Sequence, residues 1–332
     1  MKSVLKKMLI GSFTLFILLI LLCIGILSFT PTPLFSVIKA FPIEADLAKP
    51  HDYPAIEKKS QVVKGIQYST LYPNSSLDIY SPEGTTEKMP IVLFIHGGGF
   101  FKGEKEMAKY FGPTISSNHY AFISIDYDLV PNATIFDQLK QVNEALRFIV
   151  KNADKYSLDI NRINLSGSSA GGFLALQLVS AYYNREYAEL LDLQPIDNVE
   201  INSLLLYSAV YDLSEFQTFE GNIVTKYFLS KMGWGLTGIK EWQNDRDLGK
   251  ILNLNEYGKK DFPPIFITDG NTNTFTKQAN NYANKLKTLD VPVQTLFFES
   301  KEKVGHGYQL QMDSHASEKA IKESIEFLTR WN

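Results

Sequence analysis

The stretch Asn164-Leu165-Ser166-Gly167-Ser168-Ser169-Ala170-Gly171-Gly172-Phe173 constrains this chain more than any other. An apolar run, Ile163–Ser166, enters a turn made of small residues and leaves it as the helix-like segment Gly172–Tyr183. The spacing G-x-S-x-G places Ser169 at the tip of a sharp strand-to-helix turn, a position in which a serine backbone is strained. Side chains at the flanking glycines would collide with the neighbouring strand or helix, so Gly167 and Gly171 have to be bare. A helix that starts at once also offers free N–H groups and a dipole that favours negative charge. By itself G-x-S-x-G is weak evidence, because Gly/Ser-rich turns are common. The strand before it and the helix after it give it weight.

The rest of the chain repeats this alternation. Candidate strands are Leu77–Tyr80, Ile91–Ile95, Ala121–Ile125, Ile163–Ser166, Ser203–Tyr207, Ile265–Thr268 and Val293–Phe298. Helical patterns lie between or after them at Phe136–Ala153, Gly172–Tyr183, Thr276–Leu289 and Ser317–Trp331. Strands that are apolar throughout and alternate with helices predict an α/β fold with a mostly parallel twisted sheet covered by helices on both faces. Leu213–Phe262 breaks the alternation: it is aromatic-rich and shows no clear strand. About fifty residues is too long for a plain connection, so the segment 213–262 reads as a helical cap inserted into a domain spanning 61–332.

The first residues form a separate unit. Lys2, Lys6 and Lys7 precede an uncharged stretch from Met8 to Phe29, long enough for a bilayer-spanning helix. No A-x-A-like site follows, and the lysines favour the N-terminus inside and the domain outside. The expectation is a membrane anchor over 1–30 and a proline-bearing tether over 31–60 with one short helix near Phe35 to Phe41. The domain would then stand outside the cell membrane on a single-pass helix; the alternative is a secreted protein after signal cleavage. The single cysteine, Cys23, excludes internal disulfides and Cys/His zinc spacing. A formal net charge of -3 with no basic stripe gives nucleic-acid binding no support.

A second glycine motif follows another buried strand. After Ile91-Val92-Leu93-Phe94-Ile95 comes His96-Gly97-Gly98-Gly99-Phe100, where bare backbone N–H groups can approach a ligand closely. Acyl transfer needs such donors, since a carbonyl oxygen becomes an oxyanion in the tetrahedral intermediate. The N–H of Ala170, next after the turn serine, is expected to join them. The P-loop lysine and the spaced G-x-G-x-x-G are both missing, which argues against a phosphate loop. His96 reads as a brace for this loop.

His-Gly-Gly-Gly-Phe, Gly-Ser-Ser-Ala-Gly-Gly and Gly-His-Gly-Tyr, in that order, resemble the hormone-sensitive-lipase-like and feruloyl-esterase-like branches of the α/β-hydrolases. Leu77-Asp78-Ile79-Tyr80-Ser81-Pro82 and Asp126-Tyr127-Asp128-Leu129-Val130-Pro131 add to the likeness, with Asp128 where arginine is usual; it covers about residues 60–332. The resemblance implies carboxylesterase chemistry on a small or medium acyl ester, with no metal and no organic cofactor. Carried over by position, Ser169 is the nucleophile, His306 the base, and Gly98, Gly99 and Ala170 the oxyanion donors.

Among the five histidines, His306 stands in a loop after the last candidate strand, late enough for the order Ser…acid…His of this fold. The acid departs from the pattern. In the family it follows strand seven in a stretch like G-x-x-D, and here Asn273 occupies that place. An amide can orient a histidine but carries no compensating charge, and that loss in a serine triad can cost about 10⁴ in turnover. Three readings stay open: Asp269 substitutes as the acid, Asp212 does so from the preceding strand, or the chain is a weakened or inactive surface binding protein. For the two aspartates the plain alternative is structural, with Asp269 bracing the turn at Gly270 and Asp212 capping a helix.

Overall fold

The computed structural model describes residues 2–41, 47–219 and 221–332, leaving aside the side chains of 2–9, 20–24 and 27. Eight strands among these residues form one sheet: β1 Ser60–Gln67, β2 Ser76–Pro82, β3 Met89–Ile95, β4 Ala121–Ile125, β5 Leu158–Ser168, β6 Ile201–Tyr207, β7 Ile265–Asp269 and β8 Val293–Phe297. Their order is β1-β2-β4-β3-β5-β6-β7-β8. The pairs β1/β2 and β2/β4 are antiparallel and every later pair is parallel. All seven strands read from the sequence are present. The eighth, β1, escaped because it is an edge strand with mostly exposed residues, so it has neither a buried run nor a clean alternation.

The alternation of side chains across β3 separates two cores. Ile91, Leu93 and Ile95 pack with Leu139 of helix Ile135–Lys151, Leu174 of helix Ala170–Tyr183 and Ala279 of helix Thr276–Lys287. Val92 and Phe94 turn to the other face, with Phe111 of helix Phe111–Ser116 and Phe327 of helix His315–Trp331. Both faces are covered, which is why these strands are apolar at every position. β3 leads to β4 on one side and pairs with β5 on the other, so the sheet has a switch point between β3 and β5. The carboxyl ends of strands at such a point border a natural crevice.

Between β6 and β7 the described residues form helices Ile223–Thr237 and Arg246–Leu252 and short 3-10 turns. Phe228, Leu229 and Met232 of the first helix face Ser169 across a cavity. The tether region carries helix Thr32–Ala40, whose fully buried Phe35 packs on Phe101 at 5.8 Å between ring centroids. A Cβ on Gly235 would meet that Phe35 ring at 2.1 Å, so helix Ile223–Thr237 can seat the phenylalanine only because residue 235 is glycine. The apolar stretch expected as an anchor lies within helix Lys2–Phe29, and part of it falls outside the described side chains. Among the described residues, no helix is long and apolar enough to cross a membrane.

Candidate active site

Ser169 sits at the junction of β5 and helix Ala170–Tyr183 with φ 53° and ψ -120°, a strained backbone outside the usual regions. The glycines around it have measurable reasons. A Cβ on Gly167 would lie 2.3 Å from the Gly171 carbonyl oxygen, and one on Gly171 would lie 2.1 Å from that of Ile95. The turn therefore closes onto its own helix and onto the end of β3 at the same time.

The glycine loop after β3 approaches from that neighbouring strand. Gly98 and Gly99 have φ 115° and 61°, and a Cβ on Gly98 would meet the Lys102 carbonyl at 2.1 Å. The Gly98 carbonyl accepts from the N–H groups of Phe101 and Lys102, which curls the loop back on itself. Among the described residues the N–H groups of Gly98, Gly99 and Ala170 donate to no protein acceptor. Three unclaimed donors therefore border Ser169. His96 is a brace, as its neighbourhood suggested: fully buried, it stacks on Tyr127 at 4.3 Å and its Nδ1 lies 2.7 Å from the Gly97 carbonyl. Burial pushes its pKa down.

His306 Nε2 lies 2.8 Å from Ser169 Oγ. Its ring meets Phe275 edge-on at 5.5 Å, and desolvation lowers its pKa, so the neutral ring able to accept a proton is favoured. The loop that carries it is laced to the loop after β7. Asn271 and Thr272 donate their N–H groups to the Val304 carbonyl, and Asn271 Oδ1 accepts from Val304 N–H. Gly307 N–H donates to Ser208 Oγ, which ties the far side of the histidine loop to the end of β6.

The acid position needs a correction. Asn273 is exposed, has φ 52° and makes no hydrogen bond to His306. Asparagine is among the few residues that tolerate the left-handed region, so its place is set by the turn. Asp212 is also elsewhere: its Oδ1 accepts from the N–H and hydroxyl of Ser214, bracing the turn after β6. The neighbour of His306 Nδ1 is Thr274, whose Oγ1 is 3.0 Å away. That hydroxyl donates at 2.5 Å to Oδ1 of Asp269, which is fully buried at the end of β7. Asp269 thus reaches the histidine through Thr274 and not directly, and it also accepts from Gly270 N–H at 2.8 Å. Desolvation raises its pKa to about 6, with the Thr274 and Ser208 hydroxyls and two backbone N–H groups pulling the other way. Sequence reasoning missed Thr274. The signal available was the run of hydroxyls and amides after Asp269, but nothing in it says which one faces His306.

Two cavities meet at Ser169. One, of about 210 Å³, runs under helix Ile223–Thr237 and is lined by Phe216, Phe228, Leu229, Met232, Leu236 and Trp242 among other apolar groups. The other, of about 460 Å³, contains His306, Gln311, Met107 and Lys102. Among the described residues no cluster of His, Cys, Asp and Glu has the arrangement to hold a metal ion.

A strained serine at a strand-helix elbow, a histidine on its hydroxyl and unclaimed N–H donors beside it, on this sheet, define an α/β-hydrolase. Residues 77–286 match the BD-FAE family model, and the chain belongs to that family. Among curated relatives it is 26% identical to an acetyl esterase of Salmonella typhi over 190 residues, 53% of each chain. It is 30% identical to an isoprenylcysteine alpha-carbonyl methylesterase of Arabidopsis thaliana over 115 residues, 35% of this chain and 27% of that one. The chain thus spans about half or less of the length of these two relatives. Solved structures share the fold: esterase B of Lactobacillus rhamnosis, inhibited by a tributyrin phosphonate, superposes with a TM-score of 0.73 at 21% identity over 86% of this chain and 88% of that one. A fungal esterase of Rhizomucor miehei gives 0.64 at 16% identity over 90% and 95%.

Proposed function

We propose that the chain is a serine carboxylesterase acting through an acyl-enzyme on esters of small or medium acyl chains. The observation that carries this is the 2.8 Å contact of His306 Nε2 with Ser169 Oγ beside three unclaimed N–H groups. In this mechanism Ser169 Oγ attacks the ester carbonyl as His306 Nε2 takes its proton. The Gly98, Gly99 and Ala170 N–H groups hold the oxyanion. His306 then returns the proton to the leaving alcohol. Water, activated by the same ring, attacks the acyl-enzyme and releases the acid.

The cavities give the substrate a direction. His306 must protonate the leaving oxygen, so the alcohol belongs in the cavity that His306 lines. The acyl chain then falls into the apolar cavity under the cap. The acetyl group in the name of the Salmonella typhi relative agrees with a modest acyl group.

We propose further, from the uncharged run Met8–Phe29 in the sequence and not from the described side chains, that this N-terminal stretch holds the domain outside the cell membrane. In support, three lysines stand before it. Carbonate extraction and protease accessibility of intact cells test this. Release into the supernatant by carbonate would sink it.

The esterase reading is tested with the full chain in mild detergent, turning over p-nitrophenyl butyrate beside Ser169→Ala. Wild-type turnover with at least a ~10³-fold loss in Ser169→Ala is expected; equal rates would overturn it. The competing reading, a surface binding protein without chemistry, rested on Asn273, and Asn273 stands outside the hydrogen-bonded set at His306.

A further inference from the structure

We infer that Thr274 is the positioning residue of His306, coupling it to the buried carboxylate of Asp269 so that the site runs as a Ser169–His306–Thr274–Asp269 relay. The inference rests on the esterase reading above and adds what decides when that site is competent.

The argument is one of hydrogen-bond direction. A threonine hydroxyl has a single proton, and at 2.5 Å from Asp269 Oδ1 that proton must point at the carboxylate. Pointing it at the histidine would set two oxygen lone pairs against each other at that distance. The Thr274 oxygen therefore presents a lone pair to His306 Nδ1, 3.0 Å away, and the ring must carry its proton on Nδ1. Nε2 is left bare at 2.8 Å from Ser169 Oγ, as a general base requires. An acid in direct contact would impose the same tautomer; here a neutral hydroxyl transmits the polarity of a charge one step further away.

The carboxylate's charge is what polarises the relay, so its protonation weakens it. Oδ1 already accepts from the Thr274 hydroxyl and the Gly270 N–H, so the proton goes to the buried Oδ2, which has no hydrogen-bond partner among the described residues. Thr274 keeps its direction, but the imidazolium that forms during attack loses the nearby negative charge that stabilises it. Burial places this titration near neutrality, at about 6. The other titratable groups that face Asp269 are Tyr211, after β6, and Tyr308, in the turn Tyr308–Leu310, both held protonated by burial. His306 meets it through Thr274. Acidification therefore acts at two groups, the Asp269 carboxylate and the His306 ring.

The test uses the full chain in detergent micelles with Thr274→Val, Thr274→Ser and Asp269→Asn. Selective ¹⁵N-histidine labelling reads the His306 tautomer at pH 8, assigned by loss of one resonance pair in His306→Gln. The wild type and Thr274→Ser should show Nδ1–H, and Thr274→Val should lose that preference. With p-nitrophenyl butyrate, Thr274→Val should drop kcat on the order of 10²-fold with KM little moved, and Thr274→Ser should recover to within about 3-fold. The acid limb of the wild-type profile should be steeper than one proton, falling to one-proton slope in Asp269→Asn. An Nε2–H ring in the wild type at pH 8, or a Thr274→Val enzyme with wild-type kcat and acid limb, overturns the relay. The tautomer is read without turnover, so a wild type that hydrolyses nothing sinks the esterase reading and leaves the relay to be judged by its spectrum. Should Thr274→Val fail to fold, the spectra of wild type and Thr274→Ser and the slope in Asp269→Asn still decide.

Discussion

The carbonyl oxygen of Ile95 lies where a side chain on Gly171 would begin, 2.1 Å from the position of its Cβ, with the His96 carbonyl at 2.3 Å. The last residue of β3 and the first turn of the helix after Ser169 are therefore in backbone contact, and the glycine loop is held in register with the serine turn by that contact. Alanine would favour the helix by up to about 1 kcal/mol. Two backbone carbonyls cannot swing aside, and overpacking of that kind costs about 3 kcal/mol or more. The clash wins. Gly171→Ala should lower the unfolding midpoint and cut kcat/KM for p-nitrophenyl butyrate by at least ~10²-fold; a stable, active variant would show that the two loops are not locked together here.

Restoring an aspartate at the motif's acid position should achieve little. Asn273 is exposed at φ 52° and bonds nothing on His306, so Asn273→Asp adds a solvated charge. Turnover is expected to stay within about 3-fold of wild type, given the weak effects of exposed charges. A gain of tenfold or more would mean that residue 273 reaches the ring after all.

In the proposed reaction the apolar cavity receives the acyl chain and so sets a length limit. Met232 lines its apolar wall opposite Ser169, and Met232→Trp would fill part of about 210 Å³. On p-nitrophenyl acetate, butyrate and octanoate, the variant should keep acetate kcat/KM within about 2-fold and lose octanoate by roughly tenfold, the scale of a misfit of one or two methylenes. An unchanged chain-length profile would place the acyl group in the other cavity.

Asp269 costs stability in return for its role. Its folded pKa of about 6 exceeds the unfolded value of about 3.9, so the native state binds the proton more tightly. The contribution is unperturbed below the unfolded value, is lost as pH rises from about 4 to about 6, and stays lost above. Two units correspond to about 3 kcal/mol. Urea unfolding of wild type and Asp269→Asn at several pH values should show the wild type losing ground by that order between pH 4 and 7. A pH-independent difference would mean that Asp269 is charged throughout or buried at no cost.

Ser169 and the glycine loop were legible in the chain because each sits in a local pattern with its own physical demand, whereas His306 stood out only by its place after the last strand and by resemblance. A serine elbow needs bare neighbours at Gly167 and Gly171, and N–H donors need a stretch without side chains. Seven strands were equally plain, since burial on both faces writes itself as unbroken apolar runs. β1 was not, because an edge strand exposed on most of its length has no such signature.

The third partner of the histidine was beyond local reading. Asp269, Asn273 and Thr274 lie within six residues, and which of them meets His306 depends on how two loops from different strands lie against each other. Hydrogen bonds from Asn271 and Thr272 to Val304 settle that register, and the left-handed turn at Asn273 sends its side chain outward and brings Thr274 inward. Sequence alone picked out the sheet, the serine turn and the glycine loop, because each follows from residues close together in the chain. Only the tertiary structure could decide the path from base to buried charge, because a 3.0 Å contact between residues 274 and 306 depends on packing and leaves no periodic or compositional trace.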